Sequence, residues 1–215
     1  MYLDTSHPVI LKAREFIPNA RICGGSFFNE LPEPMAIPYT ERLDIYRKKQ
    51  KEAVKECIGA LTNFLPEKIT QIPHGVHGEL TFPDGYVGSL THKGVLVLGI
   101  IASDNIYKAL GVDLELINNL NRLPSPNIIV PEGLPANFEI PLGTLISISA
   151  KEAIFKAYFP IYRSMLDFGN VTLKWKVTTS KNILLAKANA RNYLSLDVIC
   201  GLLDQWILSL AYLPI

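Results

Sequence analysis

The chain has 215 residues, 48% of them hydrophobic and 19% charged, with a formal net charge of +1. That composition supplies ample material for a core and gives no bulk positive charge for gripping nucleic acid. The length suits one large domain or two of about a hundred residues each, and no apolar run reaches the ~18 residues of a membrane span.

Met1-Tyr2-Leu3-Asp4 shows no basic region followed by an apolar one, so no secretion signal is expected and the cytoplasm is the expected compartment. Cys23, Cys57 and Cys200 are scattered and form no CxxC pair, which argues against a disulfide framework or a zinc site. Short apolar runs at Pro8–Leu11 and Ala20–Phe28, broken by prolines 18, 32, 34 and 38, read as strands and loops. From Thr40 to about Phe64 the apolar positions Leu43, Tyr46, Ala53, Val54, Cys57, Ile58 and Leu61 fall at helical spacing. The opposite face carries Arg47, Lys48, Lys49, Lys51 and Lys55, a pattern that a solvated helix face already explains. A Gly- and His-bearing loop, Pro73–Gly78, follows, and Phe82-Pro83-Asp84-Gly85 makes a turn.

Val87–His92 and Val95–Ser103 read as strands joined by Lys93-Gly94, with a third strand at Tyr107–Leu116. Residues 117 to 143 look irregular, with one short strand at Asn127–Val130. Ser149–Tyr158 reads as a helix ended by Pro160, and Val171–Thr178 and Ile183–Ala188 as strands. The tail from Val198 to Leu213 suits a helix or a strand, and the pattern leaves both open.

Two motifs carry chemistry. In Gly111-Val112-Asp113-Leu114-Glu115, strand alternation puts Asp113 and Glu115 on one face and Val112 and Leu114 on the other. Paired carboxylates of this kind suit magnesium, although an exposed strand face explains them too. Ser149, Glu152 and Lys156 have the spacing of a capping box and an i,i+4 ion pair, so helix physics accounts for them without a ligand. Lys151 has no such account. A turn beginning near His92 would expose its ring together with the Thr91 hydroxyl, a corner able to hold a phosphate.

Taken in order, Phe82-Pro83-Asp84-Gly85-Tyr86-Val87-Gly88-Ser89-Leu90-Thr91-His92, then Gly111-Val112-Asp113-Leu114-Glu115, then Ser149-Ala150-Lys151-Glu152-Ala153-Ile154-Phe155-Lys156-Ala157 resemble the 4′-phosphopantetheinyl transferases. The nearest branch looks like the enterobactin synthase component D type, which serves siderophore, nonribosomal peptide and polyketide synthesis. The resemblance covers roughly residues 40 to 175, and Trp206–Pro214 looks like the family's closing strand.

The resemblance implies an α+β fold of two similar halves, 1–105 and 106–215, related by a pseudo-twofold with coenzyme A in the cleft between them. It implies magnesium on Asp113, Glu115 and Glu152, Lys156 on the coenzyme A pyrophosphate, and Thr91 and His92 on a phosphate, with Lys151 beside them. The partner would be an apo acyl, aryl or peptidyl carrier protein whose serine is modified, and the enzyme a monomer.

This sequence also departs from the family. Ala53-Val54 stand where the family's helix usually carries Gly-Arg, so the 3′-phosphate grip would fall to Arg47, Lys51 or Lys55. Gly78, Leu80 and Phe82 replace a basic residue, a proline and a tryptophan, and His74 or His77 could supply the missing donor. These departures leave room for a non-catalytic relative that binds coenzyme A or a carrier without transfer. Glu152 cannot easily cap Ser149 and bind a metal at once, so its side chain should turn toward Asp113.

Overall fold

The computed structural model describes residues 6–27, 38–123, 125, 129–130, 132–135, 138–176, 178–191 and 193–215. The chain is α+β, with the elements α1 (Pro8–Phe16), β1 (Arg21–Ser26), α2 (Tyr39–Thr62), β2 (Tyr86–Lys93), β3 (Leu96–Ser103), β4 (Tyr107–Leu116), α3 (Ile140–Tyr162), β5 (Val171–Lys176), β6 (Ile183–Ala190), β7 (Leu194–Leu203) and β8 (Trp206–Pro214). Among the described residues two antiparallel sheets form, a three-stranded one ordered β1-β3-β2 and a five-stranded one ordered β4-β8-β7-β6-β5. No helix among the described residues is long and apolar enough to cross a membrane.

Three expectations change, and one open reading is resolved. Pro8–Leu11 opens a helix rather than a strand. Pro8 supplies a pre-set φ at the start, His7 Nδ1 accepts from the Val9 N–H at 3.3 Å, and Val9, Ile10 and Ala13 share a buried face. The second motif's helix begins at Ile140, well before Ser149, with Pro141 in its first turn. Pro160 lies inside its last turn, and Arg163 closes it in the left-handed region, its N–H bonded to the Phe159 carbonyl at 2.8 Å. The tail resolves into the β7–β8 hairpin, turning at Asp204 (φ 52°). The short strand expected at Asn127–Val130 falls mainly outside the described residues.

The site is positioned by how the strands and α3 meet. On β4, Val112 and Leu114 enter a core shared with Leu208 and Leu210 of β8, and α1, β1 and β3 close the same cluster. Each fully buried aliphatic side chain there contributes about 1.5–3 kcal/mol. The opposite face of β4 packs on α3 through small residues, Ala109 against Ala153 and Ala157. Gly111 completes that close approach, since a Cβ on it would lie 1.9 Å from the Ala153 carbonyl oxygen. β2 flanks β4 without a ladder between them; instead the Val112 N–H donates to Ser89 Oγ at 3.1 Å. Helix α2 lies across the smaller sheet through Ala53, Cys57 and Leu61. Tyr46 and Gln50 fasten it to the β2–β3 turn, with Tyr46 Oη donating to the Gly94 carbonyl at 2.6 Å.

Candidate functional site

Asp113 is the centre of the site. Strand alternation turns it off the Val112–Leu114 core and toward α3, where it is only 6% exposed. Lys156 Nζ donates to its Oδ1 at 2.8 Å and to the Val112 carbonyl at 3.0 Å. Ser149 Oγ donates to Oδ2 at 3.0 Å, and Thr91 Oγ1 stands 3.5 Å from Oδ1. A cation and hydroxyls thus satisfy both oxygens of this buried carboxylate.

Glu115, one pleat further on β4, pairs with Lys93 Nζ at 2.6 Å. Burial raises the Glu115 pKa above its ordinary value against the Lys93 hydrogen bond, and the Asp113 charge adds to the rise. Glu152 is raised in the same way, by burial first and then by Asp113, with Glu115 adding and Lys156 opposing. Three carboxylates therefore sense one another across β4 and α3, with Lys93 and Lys156 as their counterions. The capping-box alternative for Glu152 fails because Ser149 lies deep inside α3 and its hydroxyl is spent on Asp113. His92 lies at the end of β2 on the exposed side. Its pKa sits below the ordinary value through partial desolvation, then through Lys156 and Lys93.

The expected corner shared by Thr91 and His92 does not form, because alternation in β2 turns the Thr91 hydroxyl inward to Asp113. Lys151 is also placed elsewhere. It is fully buried and donates to the Ile129 and Phe168 carbonyls, both at 3.0 Å, and it pairs with Glu132 at 3.0 Å. It ties loops to α3, which explains a lysine that the helix pattern left without a role. Arg47 is exposed and lies 3.8 Å from Asp44, whereas Lys51, Val54 and Lys55 line a groove of about 410 Å³ with His74.

A second cleft, of about 260 Å³, opens between β2, α3 and the loop after α2, and reaches the site through Lys156. Lys156, Ser89, Phe155, Phe159, His74 and His77 line it. Glu79 in that loop pairs with Arg163 at 2.7 Å, and the His77 ring stands edge-on to Phe159. Lys93 and the Ser149–Asp113 bond join the site without a clear mark in the sequence pattern. Lys93 follows His92 on β2 and could have been suspected from that place, but the Ser149 contact spans 36 positions and leaves no local signal.

The donor chemistry fits magnesium, which takes hard oxygen ligands and commonly needs only one or two carboxylates. Among the described residues, no three His, Cys, Asp or Glu side chains are grouped so as to hold a metal ion. The arrangement is an open acidic face, with lysines on Asp113 and Glu115.

No family model matches the chain. It is 26% identical over 156 residues to the 4′-phosphopantetheinyl transferase PptT of Mycobacterium tuberculosis, covering 69% of this chain and 67% of that protein. It is 30% identical over 115 residues to the 4′-phosphopantetheinyl transferase Svp of Streptomyces mobaraensis, covering 46% and 43%. It is 25% identical over 144 residues to the 4′-phosphopantetheinyl transferase Npt of Nocardia iowensis, covering 61% and 60%. The chain thus spans about two thirds of one of these curated relatives and less of the other two. By sequence, it is similar to enzymes of the 4′-phosphopantetheinyl transferase class.

Proposed function

We propose that the chain transfers the 4′-phosphopantetheine group of coenzyme A to a serine of an apo carrier protein, releasing 3′,5′-ADP. The observation that carries this reading is the electrostatic coupling of Glu152 to Asp113 and Glu115, with Lys156 both on Asp113 and in the wall of an open cleft. Asp113, Glu115 and Glu152 would hold magnesium, which when bound neutralises charge on the pyrophosphate oxygens.

The chain's own residues do the rest. Lys156, at the cleft wall, meets the pyrophosphate and offsets charge developing on the leaving α-phosphate oxygen. The carrier serine attacks the β-phosphorus, forming a P–O bond as the bond to 3′,5′-ADP breaks. Glu152 accepts the serine proton; burial and the Asp113 charge raise its pKa, which makes it a stronger base than an exposed carboxylate. Lys51 and Lys55 on the α2 groove, with His92, supply positive charge and donors for the nucleotide phosphate.

The halves 1–105 and 106–215 would be related by a pseudo-twofold, with coenzyme A at the β2–β4 seam; a long helix on an antiparallel sheet in each half supports this. The motif order supports the enterobactin synthase component D-like branch, hence carriers of siderophore, nonribosomal peptide or polyketide synthesis, met by a monomer in the cytoplasm. One observation favours a second reading, a coenzyme A- or carrier-binding relative without transfer: Val54 stands where the family's arginine is expected, in the groove lined by Lys51.

Mass spectrometry of an apo carrier incubated with the protein, coenzyme A and magnesium separates the two. A gain of one phosphopantetheine, absent with Asp113→Ala, is expected. Coenzyme A binding without transfer to any of several carriers would establish the second reading instead.

A further inference from the structure

Cys23 and Cys57 lie away from the acidic site and take no part in the chemistry above. Cys23 is on β1 and Cys57 on α2, 34 positions apart, yet their sulfurs are 3.1 Å from each other. Each thiol also faces the other's main chain: Cys23 Sγ is 3.2 Å from the Cys57 carbonyl oxygen, and Cys57 Sγ is 3.6 Å from that of Cys23. The room for both sulfurs is left by Gly99 of β3, the register partner of Cys23. A Cβ on Gly99 would come within 2.9 Å of Cys57 Sγ and 3.3 Å of Cys23 Sγ. The two side chains therefore already aim at one another across the β1–α2 contact. Little more than the final approach separates this dithiol from a bond of about 2.05 Å.

We propose that Cys23 and Cys57 are a modification site, oxidised reversibly by a peroxide to a disulfide that cross-links α2 to the smaller sheet. Cys23 is 7% exposed and Cys57 fully buried, so peroxide meets the Cys23 sulfur first. Its contact with Cys23, and then burial, keeps the Cys57 thiol protonated until that step has passed. In the first step the peroxide O–O bond breaks, Cys23 becomes a sulfenic acid, and one water leaves. In the second, the Cys57 sulfur displaces the sulfenic hydroxyl, which leaves with the Cys57 proton as a second water. Two electrons pass from the sulfur pair to the peroxide, and a thiol reductant reverses the change.

Buried thiols react only when the structure opens. Helix α2 buries just Ala53, Cys57 and Leu61, so a local opening that admits peroxide is easier than global unfolding. Cys200 is a built-in control: it is fully buried in the other sheet, Ser209 Oγ donates to it at 3.2 Å, and desolvation pushes its thiol up to about 12.

The test exposes the full, reduced chain to graded hydrogen peroxide, traps remaining thiols by alkylation in denaturant, and maps peptides without reduction. A linked Cys23–Cys57 peptide lacking two hydrogens is expected, restored by dithiothreitol. The melting temperature should rise by roughly 5–10 °C on oxidation. The rise should vanish in Cys23→Ala or Cys57→Ala and persist in Cys200→Ala. Recovery of Cys23 and Cys57 as free thiols, as sulfinic or sulfonic acids, or in links to Cys200 or another chain would overturn the proposal. The wild-type peptide map decides the matter even where an alanine variant does not fold.

Discussion

Replacing Gly111 by alanine tests whether the site depends on backbone contact between β4 and α3. A methyl group there would meet the Ala153 carbonyl oxygen at 1.9 Å and the Ala157 nitrogen at 2.7 Å. Both are main-chain atoms of a helix, so no side chain can swing aside. Restoring ordinary contact requires the strand and helix to part by about 1.5 Å. Overpacking of a core costs about 1–3 kcal/mol, and a clash against rigid backbone belongs at the top of that range. In a chain of this size, a loss of about 3 kcal/mol lowers the melting temperature by roughly 6–12 °C.

The functional effect should exceed the loss of stability. Asp113 is two residues from Gly111 on the strand, while Glu152 and Lys156 adjoin the two obstructed helix positions. Parting the elements stretches the Lys156–Asp113 pair from its 2.8 Å, and a misplacement near 1 Å costs about 100-fold in rate. Urea unfolding gives the stability, and initial transfer rates per folded molecule give the chemistry. Gly59→Ala is the matched control, since a Cβ there meets nothing within 4 Å and alanine should stabilise α2 by up to about 1 kcal/mol. A Gly111→Ala variant with wild-type stability and rate would refute the close backbone packing on which the site is built.

Four further outcomes are expected. Lys151→Met should cost about 3 kcal/mol by leaving Glu132 and two carbonyls without their cation, yet calorimetry should find coenzyme A affinity unchanged in the folded protein. Val54→Arg, adding a cation beside Lys51 and Lys55, should tighten coenzyme A about tenfold, a gain of about 1.4 kcal/mol that dephospho-coenzyme A should not show. Magnesium at a hundred times its dissociation constant should stabilise the fold by about 2.7 kcal/mol in thermal melts, and Glu115→Gln should abolish this; a melting point indifferent to magnesium would remove the ion from the site. The pKa of His92 is lowered in the fold, so below about pH 6.5 the unfolded chain takes up a proton that the folded one resists, and stability from this group is lost as pH falls. His92→Gln should flatten that part of the stability–pH curve, and identical curves would count against the placement of its ring near Lys93 and Lys156.

The strands from Tyr86 to Leu116 and the helix α2 were legible because their apolar residues repeat at the spacing of one element only. Alternation alone separated Asp113 and Glu115 from Val112 and Leu114. What was hidden had non-local causes. Ser149 and Glu152 imitate a helix start so well that the true start at Ile140 went unseen; Ser147 and Ser149 are buried helix-interior polar groups, and Ser149 gains its partner from β4. Lys151 resembled a ligand because its acceptors sit at positions 129, 132 and 168. Pro8–Leu11 was too short to show a period, and only Ala13, a small residue, extends its buried face. The tail's two readings were separable only by β7 and β8 pairing with each other and with their neighbours.

The Tyr46–Gly94 hydrogen bond has a mechanical consequence. Gly94 follows Lys93, and Lys93 holds Glu115, so a short chain of rigid links runs from α2 through the hairpin tip to an acid of the site. The groove beside Lys51 is on the same helix, one turn beyond Tyr46. The α2 groove and the Lys93–Glu115 pair are therefore joined through two contacts at the hairpin tip.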